Sequence, residues 1–193
     1  MFTKALFILP LAAFALVAAK APPPATEPAM PSFAAPAEVA ANPANKLTLE
    51  LSTGGTVVIQ LRPDIAPKHV ERIQTLVRQG FYNGLTFHRV IPGFMAQGGD
   101  PKGTGEGGSS LPDLKAEFTT LPFLRGTVAA ARTGDNLDSA NSQFFIMFVP
   151  NAGINGQYTI FGRVISGMDA VDKIAPGEPP AEPTKIVKAT LGS

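Results

Sequence analysis

The chain has 193 residues, 45% of them hydrophobic, with 16 Lys+Arg against 15 Asp+Glu and no cysteine. That balance belongs to a soluble globular protein and gives no cationic footprint for nucleic acid or an anionic membrane. The missing Cys excludes disulfide frameworks, thiolate zinc sites, thiol nucleophiles and lipidated cysteines, and with His69 and His88 as the only histidines a multi-His metal site is not expected, which leaves carboxylate-rich cation sites as the only kind composition permits, and no metal is assigned.

Residues 1–19 place one positive charge, Lys4, before an apolar run from Ala5 to Ala19 that is broken by Pro10 and ends on small residues. A membrane-crossing helix needs about 20 apolar residues. The run is therefore read as a secretory signal peptide, with an uncleaved signal anchor as the rival reading. An exported, periplasmic or secreted protein without stable membrane insertion follows from the first reading. Residues 20–45 are mostly Ala and Pro, too poor in bulky apolar groups to offset ordering entropy, and predict a disordered linker. A helix over 34–41 is disfavoured there, because Pro36 and Pro43 bracket too few residues. The remaining residues, 46–193, suffice for one core.

That domain opens with alternating Leu47, Leu49 and Leu51, a Gly54-Gly55 turn, and Val57, Ile59 and Leu61, the pattern of a hairpin with one buried face. From Pro67 to Gln79, Val70, Ile73, Leu76 and Val77 recur at helical spacing, with Pro67 at the first helical position and Gly80 as the stop. His69 lies at the margin of that face and reads as a boundary surface residue, and Glu71 and Arg72 as a solvated pair. Short strands are predicted over 85–91, 94–98, 126–132, 143–149, 158–165 and 186–191, with Asn83-Gly84 and Asn155-Gly156 as turns. A short second helix is predicted from Ser166, with Asp169 completing a capping box and Met168, Val171 and Ile174 turned inward. So many short antiparallel strands close into a barrel or fold into a sandwich, and alternation does not choose between them.

Two segments carry the chemistry. In FHRVIPGFMAQGGD, residues 87–100, strand alternation places Arg89 on one face with Phe87 and Ile91. A guanidinium among apolar neighbours meets either a structural acceptor or an open groove where a ligand accepts its hydrogen bonds. In SANSQFFIMF, residues 139–148, Gln143 shares a face with Phe145, and Phe144 with Ile146. A buried amide needs partners, so Gln143 braces a loop or faces a groove. Arginine, amides, aromatics and a thioether suit extended peptide backbone plus one apolar side chain, and contain no nucleophile paired with a base.

FHRVIPGFMAQGGD, then NSQFFI, then NGQYTIFGRV together resemble the cyclophilin family of peptidyl-prolyl isomerases, and the likeness spans essentially Leu47 to Leu191. The resemblance implies a mainly β fold, a closed eight-stranded antiparallel barrel capped by two α-helices. It implies that Arg89 is the catalytic arginine, with Gln97 and Gln143 the glutamines that position backbone and arginine. Phe94, Met95 and Phe145 become the pocket for the substrate proline ring, Ala131, Arg132 and Ile154 the groove wall, and His88 a groove histidine. Gly153 stands where many eukaryotic members have a rim tryptophan, Tyr158 occupies a second histidine position, and the loop 132–141 is one residue longer than the commonest bacterial pattern. Without the indole N–H, weak cyclosporin binding is expected. The implied partners are proline-containing polypeptides, no cofactor is implied, and a monomer is expected.

The implied chemistry is rotation of an X-Pro bond, whose barrier of about 18–20 kcal/mol comes from N–C=O conjugation. A donor such as Arg89 that binds the proline nitrogen better in the twisted state than in the planar one lowers that barrier. A module that merely holds proline-containing chains is the alternative. Gly103-Thr-Gly-Glu-Gly-Gly108 matches a nucleotide-binding glycine pattern, but no helix follows it, so it reads as a flexible glycine loop.

Overall fold

The computed structural model describes residues 33–192. The expected signal peptide, the first part of the expected linker and Ser193 lie outside the described residues. The rest of that linker is not loose. Residues 33–45 form a strap on the domain, containing a five-residue helix α1 (Ala37–Ala41) and a 3-10 turn at Pro43–Asn45. Three side chains explain why so alanine-rich a stretch is ordered. Val39 and Asn45 are buried, and the Phe33 ring lies 4.0 Å from the Arg163 guanidinium carbon. The Gln60 amide donates to the carbonyls of Asn45 and Val39, so the domain supplies partners that an isolated linker lacks.

Strands β1 (Lys46–Leu51) and β2 (Thr56–Leu61) form the expected hairpin, paired from Lys46 opposite Gln60 to Glu50 opposite Thr56, with Gly54 and Gly55 at positive φ. The helix α2 (Pro67–Arg78) buries Val70, Ile73, Leu76 and Val77 and ends before Gly80, whose φ is +68°. Its first turn lacks a local cap. Glu117 reaches it from a distant loop and accepts from the backbone N–H groups of Lys68 and His69 at 3.1 and 3.0 Å.

The same carboxylate lies 2.7 Å from His69 Nδ1, which buries His69 to 2% exposure and overturns its surface reading. Arg72 is also buried, not solvated, because its Nη2 donates to the Pro112 carbonyl at 2.6 Å. Glu71 does remain exposed beside Lys68.

The sheet is completed by β3 (Phe87–Ile91), β4 (Met95–Gly98), β5 (Thr127–Ala130), β6 (Phe144–Met147), β7 (Ile160–Ser166) and β8 (Ile186–Leu191). The order is β3-β4-β6-β5-β7-β2-β1-β8, antiparallel throughout. The sheet curls until its outer strands approach. There a bridge between Thr86 and Lys185 stitches the edges, with Phe87 N–H donating to Thr184 O and Ile186 N–H to Leu85 O. Helix α3 (Met168–Val171) covers the same barrel with Val171, while Ile174 just beyond it is also buried. Its capping box does not form: Ser166 ends β7, and Gly167 in the left-handed region starts the helix without a side-chain cap.

Two apolar clusters occupy opposite faces of the sheet. Leu49, Ile59, Leu61, Phe87, Val90, Val128, Phe144, Ile146 and Phe161 fill the barrel interior with the inner face of α2. Met95, Leu121, Phe123, Ala129, Phe145, Met147 and Ile160 form a second cluster on the outer face. Alternation correctly separates Phe144 and Ile146 from Phe145. It fails on β3, where the register shifts between Phe87 and Arg89. The extra residue at this bulge lets Phe87 and Val90 both point inward, so Arg89 does not share a face with Phe87.

Candidate active site

The site stands on one row of the outer sheet face. Pairing places Arg89 of β3 opposite Gln97 of β4, Gln97 opposite Phe145 of β6, and Phe145 opposite Ala129 of β5. The next row sets Ile91 opposite Met95 and Met95 opposite Met147. Over these rows lies a groove of about 200 Å³ lined by Arg89, Phe94, Met95, Gln97, Ala131, Arg132, Phe145, Ile154 and Tyr158. Met95 and Phe145 are buried in its floor. The Phe145 ring stacks on Phe123 at 6.0 Å and meets Tyr158 edge-on at 5.3 Å, which fixes the floor's shape.

The polar wall is a chain of hydrogen bonds. Arg89 Nη1 donates to Gln97 Oε1 at 3.5 Å, Gln97 Nε2 to Gln143 Oε1 at 2.8 Å, and Gln143 Nε2 to the carbonyls of Gly105 and Gly107, each at 2.8 Å. At the other end Arg89 Nε donates to Glu178 Oε2 at 2.7 Å. Arg132, beyond Ala131, lies 4.7 Å over the Tyr158 ring and donates to the carbonyls of Gln157, Thr133 and Gly134. A neighbouring cavity of about 370 Å³ shares Gln97, Ala131 and Arg132 with the groove and extends past Gln143 to the glycine loop.

The glycine loop, expected to be flexible, is tied down by hydrogen bonds at both ends. Asp100, 1% exposed, accepts from the backbone N–H groups of Lys102, Thr104 and Gly105 at 2.8, 2.9 and 2.7 Å. Burial alone would raise the Asp100 pKa, but the backbone donors of Lys102, Gly105, Gly107 and Thr104 outweigh it and hold the carboxyl below its ordinary range. Asn141 ties the far end of the loop by accepting from Ser109 N–H at 2.8 Å.

Two expected site residues do not line the groove. Gln143 stands behind Gln97 and acts on the groove through it. His88, the residue at the bulge, is 5% exposed, and among the described residues neither ring nitrogen has a well-aligned hydrogen-bond partner. Burial lowers its pKa, which the field of Asp100 opposes and that of Arg89 reinforces.

Three contributors are missing from the sequence reading. Asp100 carries a local sign, an acidic residue that follows Gly98-Gly99 and precedes Pro101 at the entrance to a glycine-rich stretch. Glu117 and Glu178 carry none, since each meets its partner across a long stretch of chain.

An apolar pocket beside a braced arginine, on the outer face of a curled antiparallel sheet, is the arrangement that the motif resemblance implies. The family model described as cyclophilin type peptidyl-prolyl cis-trans isomerase matches residues 46–191. A Brucella suis protein named "Probable peptidyl-prolyl cis-trans isomerase" is 54% identical over 168 residues, covering 79% of this chain and 85% of that protein. Among solved structures, a cyclophilin from Hirschia baltica is 30% identical with a TM-score of 0.69, covering 78% of this chain and 74% of its own. A Cryptosporidium parvum cyclophilin type isomerase, crystallised in the presence of the dipeptide Ala-Pro, is 28% identical with a TM-score of 0.71, covering 77% of this chain and 99% of its own. This chain belongs to the cyclophilin-type peptidyl-prolyl cis-trans isomerase family.

Proposed function

We propose that this isomerase acts on X-Pro bonds of exported proteins and that Arg89 is the donor that lowers the rotation barrier. The observation that carries the reading is the Arg89 guanidinium on the wall of a groove floored by Met95 and Phe145. The floor suits a proline ring, and the ring's nitrogen then faces the wall. As the bond twists, conjugation is lost and that nitrogen regains a lone pair. A fixed N–H donor binds it more strongly than in the planar state, and this difference accelerates rotation. Lowering the barrier by about 7 kcal/mol corresponds to a rate factor on the order of 10⁵. No proton changes hands and no covalent bond forms, in keeping with a wall that offers amides and a guanidinium.

Turnover of Ala-Pro peptides by the purified full chain, compared with Arg89→Ala, tests the donor. A loss on the order of 10²-fold is expected with peptide binding and fold retained. Near wild-type turnover in the variant overturns the role. Peptide binding without turnover in the unsubstituted chain would favour a holding module.

The export half of the proposal rests on Lys4 and the apolar run that follows it, and N-terminal sequencing of the protein recovered outside the cytoplasm tests it. The groove also bears on inhibitors. Gly153 lies exposed in the 3-10 turn Ala152–Ile154 and offers no side-chain donor to the rim. Cyclosporin is accordingly a weak inhibitor in this reading, and a sub-micromolar inhibition constant would contradict it.

A further inference from the structure

We infer that Glu178 is a positioning residue for Arg89, one that sets the plane of the guanidinium and so the aim of its remaining N–H groups. The inference rests on Arg89 being the donor. A guanidinium on a flexible stem is a poor transition-state donor unless its torsions are fixed. Gln97 engages one nitrogen at the long distance of 3.5 Å, whereas Glu178 takes Nε at 2.7 Å, so the carboxylate is the stronger of the two holds. A planar group held at two different nitrogens keeps little freedom.

The loop bearing Glu178 is itself fastened beside Arg89. Val90 and Gly177, the immediate neighbours of the two charged residues, exchange backbone hydrogen bonds of 2.8 and 2.9 Å. Gly177 has φ +141°, and a Cβ there would come within 2.6 Å of Pro180 Cα, so the close approach requires glycine. Ala175 N–H donates to Thr184 Oγ1 at 3.0 Å, closing the loop on its far side. The backbone holds this loop without help from the ion pair. With side chains 42% and 52% exposed, the pair adds little to stability. What it does determine is where the guanidinium lies. A half-exposed pair is also screened by salt, which makes its contribution separable.

The test compares Ala-Pro peptide isomerisation by the full chain and by Glu178→Ala, Glu178→Gln, Arg89→Ala and the Arg89→Ala/Glu178→Ala double variant, at low and high salt. Glu178→Ala is expected to lower kcat roughly three- to fivefold with KM held within about twofold. Glu178→Gln keeps an acceptor but loses the charge and falls between. Raising salt should bring wild type toward Glu178→Gln while leaving Glu178→Ala unmoved, and in the Arg89→Ala background the second substitution should cost nothing more. Glu182→Gln, which removes a charge from the same loop, leaves turnover unchanged. Wild-type kcat in Glu178→Ala, or an equal loss with Arg89 already removed, overturns the inference. Retained turnover in Arg89→Ala alone would instead overturn the donor reading beneath it.

Discussion

Gln97 has neither a titratable proton nor a nucleophilic atom, yet it links the proposed donor, Arg89, to the loop behind the groove. Its carbonyl accepts from Arg89 while its amide donates to Gln143, so one side chain uses both of its polar ends. Gln97→Ala removes both links and lets the arginine relax toward Glu178. The expected result is a fall of about tenfold in kcat/KM, with the thermal midpoint nearly unchanged because the residue is not fully buried. Turnover assays beside a melting curve check it, and an equal loss of stability would mean that Gln97 is structural instead. Most residues of this candidate site are named by the motif resemblance, which rests largely on two contiguous runs, 87–100 and 139–148, whereas strand alternation alone does not place Phe94 and Met95 in one pocket. Glu178 was not legible, since 89 positions separate it from Arg89 and no local pattern marks the pair.

The glycine loop between β4 and β5 shows why an element can be misread when its residues are read correctly. Glycines permit many conformations, and the sequence alone counts that freedom as flexibility. Asp100 converts it into one conformation by collecting backbone N–H groups, and the carbonyls of Gly105 and Gly107 are then fixed where Gln143 can use them. A Cβ on Gly107 would collide with the Asp100 carboxylate, so Gly107→Ala must push the loop outward. The expected outcome is a several-fold loss of kcat/KM carried through Gln143 and Gln97. Peptide turnover and amide hydrogen exchange over 102–108 check this together, and unchanged protection would contradict it. The strap behaves in the same way. Ala37–Ala41 is too short to be helical alone, and the domain holds the strap through Arg163 against Phe33, Gln60 donating to the Val39 and Asn45 carbonyls and Gln74 donating to Asn45 Oδ1. Replacing Val39 with Ala should therefore lower stability by about 1–2 kcal/mol while leaving turnover intact, measured by urea denaturation beside the activity assay. Equal stability would mean that the strap rides on the surface.

For the molecule as a whole, the period-two pattern of β1, β2 and β6 and the 3.6-residue pattern of α2 made the architecture legible. What stayed hidden was long-range: the bulge at His88, the Glu117 carboxylate at the start of α2, and the edge bridge that stitches the curled sheet. The same long-range burial gives the fold its pH response. His69 and His88 are both removed from water, and burial lowers the pKa of each, although for His69 the Glu117 carboxylate opposes the shift. In the unfolded chain both titrate near 6.5. Below that pH the unfolded state takes up protons that the folded state refuses. The stability from two neutral histidines is therefore complete above about pH 6.5 and is lost as the pH falls through the folded values. Asp100 acts in the same direction lower down, its contribution fading below about pH 4 as the depressed carboxyl is finally protonated. The urea midpoint should thus drop between about pH 7.5 and pH 5. His88→Leu should shrink that drop, because it removes a buried titrating ring whose nitrogens lack well-aligned hydrogen-bond partners among the described residues. An unchanged drop in the variant would assign the acid response to His69 and its carboxylate alone.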